Sequence, residues 1–166
     1  MTQVIHLLQP ALGYLQLGMI EEANEEVEAL PPELKTDIDV LGLRAMIYQE
    51  SGAWQLLREV SGYLVKISPE NSQNWIWLAY ATRRCSSISE AEQILITAVR
   101  QHPTEPMIHF NLACYAARSG DLGIARERLS QAITLDSGVR LLSLNDPDLE
   151  PLWAELGKSS SSSPEL

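Results

Sequence analysis

Apolar positions along this chain fall at helical spacing in paired stretches, each pair broken by a short turn. Around "NLACYAARSGDLGIARERLSQA" (111–132), Ile108, Leu112, Ala113, Tyr115 and Ala116 form one helical face. Leu122, Ala125, Leu129, Ala132 and Ile133 form a second. Between them Ser119–Asp121 reads as a helix stop, with Gly120 suited to a left-handed cap. The pattern predicts two antiparallel helices joined by a tight turn. Ala113 and Ala125 then mark where the helices come closest, because only a small side chain fits between two backbones in contact.

Shifting the chain against itself by 34 residues repeats this arrangement. Ala11, Ala45, Ala79 and Ala113 fall in one column, and Gly18, Gly52, Ser86 and Gly120 in another. Ala23, Leu57, Ala91 and Ala125 make a third, and Leu30, Leu64, Ala98 and Ala132 a fourth. Pro69 and Pro103 recur in the middle copies. The frames run over about 4–37, 38–71, 72–105 and 106–139 without insertions. One hairpin cannot bury its own apolar surface, so such units stack.

Several positions depart from the pattern. Pro10 predicts a first helix that is kinked or starts late. Pro31 and Pro32 predict an early end to the second. Leu57 stands in a column otherwise filled by Ala, with small Ser61 and Gly62 as its offset, and His109 stands where Trp75 stands one copy earlier. After the last copy, "LLSLNDPDLEPLWAELG" (141–157) offers a helix start at Asp146 and Pro147 and an apolar face of Leu149, Leu152, Trp153 and Leu156. We expect a terminal cap over 140–157, one domain over 1–157, and a disordered low-complexity tail over 158–166.

The segment "NWIWLAYATRRCSSISEAEQILITAVRQHP" (74–103) carries Trp75, Leu78, Ala79, Ala91, Leu95, Ala98 and Pro103 in the order of the tetratricopeptide-repeat signature. Over about residues 4–139 the chain resembles that family, in particular its small stand-alone bacterial members. The resemblance implies an all-α fold, a right-handed α-solenoid of four helix-turn-helix repeats plus a capping helix. It also implies that the first helix of each pair lines a concave face.

Carried onto this sequence, that face holds Ile5, Leu8, Leu12 and Leu15 in the first copy, and Asp39, Gly42, Met46 and Gln49 in the second. The third contributes Gln73, Ile76, Tyr80 and Arg83, and the fourth Met107, Phe110, Cys114 and Ala117, with Arg84, Asn111 and Arg118 at the edges. The expected peptide-binding residues are Met46, Gln49, Gln73, Ile76, Tyr80, Arg83, Met107, Phe110, Asn111, Cys114 and Arg118. Such a groove suits a peptide with apolar anchors and an acidic group. Some family members clamp a partner's terminal carboxylate with Lys and Asn, but Leu8 and Leu12 occupy those places here. The implied role is a non-catalytic scaffold or adaptor for a protein or peptide. The alternatives are a self-associating module forming homodimers, or a chaperone similar to those of type III secretion.

Charge sharpens this. The chain has 166 residues, a net charge of −10, 45% apolar and 20% charged residues. That balance argues against nucleic acid as a partner. Residues 1–71 hold 11 acidic and 4 basic groups, against 6 and 7 in residues 72–140, where an anionic group would be received. Cys85 and Cys114 form no CxxC and read as free thiols. The first residues lack a basic start and are interrupted by Pro10, so no signal or membrane span is expected and the location reads as cytoplasmic. There is no GxSxG, HExxH or phosphate-binding glycine loop, so no enzyme activity, cofactor or metal is expected. The carboxylates of 21–28 read as a solvated helix face.

Overall fold

A computed structural model describes residues 2–153, with side chains from Val4 onward. Nine α-helices lie in this range: α1 (Thr2–Gln16), α2 (Ile20–Glu28), α3 (Ile38–Glu50), α4 (Trp54–Ile67), α5 (Ser72–Cys85), α6 (Ile88–Gln101), α7 (Pro106–Arg118), α8 (Leu122–Leu135) and α9 (Val139–Leu144). Two 3₁₀ turns, Pro32–Leu34 and Pro147–Leu149, and a helical stretch over 150–153 complete the elements, and the described residues contain no strand. The fold is an all-α helical repeat. The chain divides inside α6, between Ala91 and Glu92, into two compact units.

Why helices start where they do is visible in one column. Asp37, Asn71 and Glu105, 34 residues apart, precede α3, α5 and α7. Each accepts a hydrogen bond from the backbone N–H two residues on, at 2.9, 3.1 and 3.3 Å. That bond satisfies one of the amides a helix start leaves without a partner. The turns follow the glycine column. Gly18, Gly52 and Gly120 have φ of 73°, 71° and 87°, a region glycine enters without steric cost. Ser86, in the same column, takes φ −139° instead, and the chain re-enters helix at Ile88.

In the first unit, α1 pairs with α2 and α3 with α4, and α5 packs on α3 and α4. One core joins Leu8, Ala11, Ala23, Val27, Leu30, Val40, Leu43 and Ile47. A second joins Ala45, Leu57, Leu64, Trp77 and Ala81. The four recurring alanines, Ala11, Ala45, Ala79 and Ala113, are all buried. Ser61 turns its hydroxyl onto the Leu57 carbonyl at 2.6 Å, which lets a polar residue stay in the core. A Cβ on Gly62 would lie 3.7 Å from Leu78, so α4 and α5 meet there at van der Waals contact.

Two proline effects separate. α2 stops at Glu28 after nine residues, whereas α4, α6 and α8 each run fourteen. Pro10, by contrast, sits inside α1, which already begins at Thr2. Pro10 and His6, the residue whose carbonyl loses a donor, are both exposed, so water can replace the missing bond.

In the second unit α7 and α8 form a hairpin, and α9 and the Pro147 turn pack on α7. Asp146 accepts from the Asp148 N–H at 2.9 Å, as a helix start should, but the first turn is 3₁₀ and residues 150–153 continue as helix. Leu149 and Leu152 are buried, and Trp153 donates from Nε1 to the Ser143 carbonyl at 3.1 Å. The expected tail, and Leu156, lie outside the described residues.

Candidate functional site

The first unit carries an open trough along α3, between α1 and α5. Its half near the start of α3 has a volume of about 370 Å³ and is walled by Ile5, Leu8, Leu12, Ile38, Gly42 and Trp77. The half near the end of α3 has about 580 Å³ and is walled by Leu12, Leu15, Gln49, Gln73 and Trp77. Met46 lines both halves and is 40% exposed, an apolar side chain left in water on the trough floor. Such sizes and apolar walls suit a held ligand group.

Trp77 closes the floor. Its Nε1–H donates to Gln49 Oε1 at 2.8 Å, tying α5 to α3. The acceptor of Gln49, a residue expected to meet a ligand, is thus engaged by the protein itself. Trp77 is absent from the expected binding residues because it sits one position beyond Ile76, which the repeat frame points at the groove. Ile76 is half-buried and lines neither half of the trough. A ring large enough to reach across a helix spacing was the available signal.

Tyr80 is half-buried and held in a stack. Its ring meets Trp54 edge-on, with centroids 5.5 Å apart, and Arg84 lies 5.1 Å over Tyr80 and 5.3 Å over Trp54. Arg84 also donates to the Tyr80 hydroxyl at 2.9 Å. The guanidinium gains from both ring faces, which keeps it on the protein. Arg83 is half-buried.

The expected residues of the second unit lie on α7. Phe110 and Cys114 are 6% and 2% exposed, so their side chains belong to the packed interior. Met107 is half-buried, and Asn111 bonds from Nδ2 back to the Met107 carbonyl at 2.8 Å. Arg118 is exposed and faces Asp148 at 3.6 Å. Cys114, Asp146 and Asp148 bring one ligand-type atom each within 4.8 Å of one another. Asp146 already caps the Asp148 N–H and Asp148 faces Arg118, so both carboxylates have partners within the protein. Neither Cys85 nor Cys114 is in a disulfide among the described residues.

Glu28 is far more acidic than an ordinary glutamate. Hydrogen bonds from Lys35 at 2.8 Å and Arg44 at 2.6 Å hold its carboxyl down to about 2. No described helix is long and apolar enough to cross a membrane.

No family model and no curated protein matches the sequence. Solved structures do. A thermophilic TPR protein from Thermus thermophilus is 20% identical, with 96% of this chain and 91% of that one covered and a TM-score of 0.70. MamA MSR-1 is 19% identical over 80% of this chain and 76% of its own, with a TM-score of 0.67. The MamA RS-1 double mutant is 18% identical over 92% and 93%, with a TM-score of 0.65. With helix starts at Ile38, Ser72 and Pro106 and alanines buried at every recurrence of their column, this chain shares the fold of that thermophilic TPR protein.

Proposed function

We propose that the chain is a non-catalytic protein-interaction scaffold that holds a peptide or protein segment against the trough on α1, α3 and α5. The observation that carries this is Met46, an apolar side chain exposed at the centre of an open apolar channel. Of the expected binding residues, Met46, Gln49 and Gln73 line this channel. The similarity in fold to TPR proteins supports the same reading.

The test is a peptide-display selection on the full chain with Met46→Glu as counter-target. Sequences retained by the wild type and released by Met46→Glu are the expected result. Equal retention by both proteins rejects the trough as the binding face.

A second reading, self-association, is favoured by exposed Leu7 on α1, Leu17 in the turn after it, and Leu141, Leu142 and Leu144 on α9. Leu8 is buried in the core, so Leu7→Asp with Leu17→Asp is the pair that probes that surface. Light scattering after size exclusion distinguishes a dimer split by these changes from a monomer indifferent to them.

A further inference from the structure

The trough is apolar along its floor but not neutral. The charged side chains lining it are Asp39 towards the start of α3 and Glu50 at its end. Among the described residues neither forms an ion pair. No Lys or Arg side chain lines either half of the trough. Lys35 and Arg44 both sit on Glu28, Arg58 faces Glu90 at 3.5 Å, and Arg84 is stacked on Tyr80 and Trp54. Lys66 borders a separate hollow on α4. Eleven residues of helix separate Asp39 from Glu50, about 16 Å along the axis.

We propose that the trough takes a cationic amphipathic protein segment: an apolar stretch bounded by Lys or Arg side chains about 16 Å apart. The inference rests on the trough being the binding face. In a helical partner the two cations lie about eleven residues apart, and in an extended one about five. The cations meet Asp39 and Glu50, and the apolar side chains between them cover Met46, Leu12 and Trp77. An acidic segment meets like charge at both ends and is rejected. This reverses the acidic partner expected from composition, because the arginines that motivated it line neither half of the trough.

Gly42 provides the control. It lies on the trough wall, and a Cβ placed there meets nothing within 4 Å. A larger side chain therefore projects into the channel without displacing the core.

The probes are fluorescent synthetic peptides with a Leu/Ala stretch between two lysines, spaced eleven or five residues apart, and the same peptides with Gln or Glu for Lys. Binding to the full chain is read by anisotropy. The Lys peptide of one spacing should bind roughly two- to thirtyfold tighter than its Gln form, as two exposed ion pairs allow, with the Glu form weakest. The preference should vanish in Asp39→Asn/Glu50→Gln and at about 1 M salt. Gly42→Trp should abolish binding of every peptide. Circular dichroism verifies that each variant is folded.

Gln or Glu peptides binding as tightly as Lys peptides, or a Lys preference that survives the double variant, overturns the charge inference. If Gly42→Trp still blocks binding in that case, the trough reading stands alone. Lys peptides that bind Gly42→Trp unchanged sink the trough reading itself. Absence of binding by all peptides up to about 1 mM overturns the inference.

Discussion

His109 donates from its ring to the carbonyl oxygen of Pro103 at 2.9 Å, the bond that Trp75 makes to Pro69 at the same distance one repeat earlier. A histidine thus replaces a tryptophan in the signature column by supplying the same ring N–H, which requires the proton on Nε2. Its Nδ1 is buried without a hydrogen-bond partner.

The two bonds should differ in net worth. Trp75→Phe removes a donor from the Pro69 carbonyl and is expected to lower stability by about 1 kcal/mol. His109→Phe removes the equivalent donor but also the unsatisfied Nδ1, so its cost should be smaller. Urea midpoints of the two variants give the comparison.

The glycine column makes a paired prediction. Gly120→Ala forces an L side chain into φ 87° and should cost about 1 kcal/mol, read as a lower melting temperature. Ser86→Gly occupies a residue at φ −139°, where glycine relieves no strain, so it should bring no gain.

Glu28 gives the pH dependence. Its folded value of about 2 lies below the ordinary 4.5, so its contribution is present above pH 4.5 and is lost as pH falls towards 2. The carboxylate is 48% exposed, and water screens the pairs to about 0.5–1 kcal/mol in total. Glu28→Gln should flatten the melting temperature across that window, and added salt should do so partly.

Leu149 tests the C-terminal segment. It is fully buried, on the 3₁₀ turn that packs on α7. Leu149→Ala should cost about 2–5 kcal/mol, measured by chemical denaturation.

Helix pairing and its register were legible in the amino acids because their causes are local or periodic. A crossing admits only Ala, which recurs every 34 residues at Ala11, Ala45, Ala79 and Ala113, and a left-handed turn admits Gly, which fills three of the four positions of its column at Gly18, Gly52 and Gly120. Which groove residues are available was decided only by tertiary structure, because availability depends on what a neighbouring helix can reach. Trp77 is long enough to take the acceptor of Gln49, Arg84 covers Tyr80, and α7 packs Phe110 and Cys114 inside. The sign of the trough is of the same kind. Composition counts Lys35 and Arg44, but in the folded chain both sit on Glu28, while Asp39 and Glu50 line the channel.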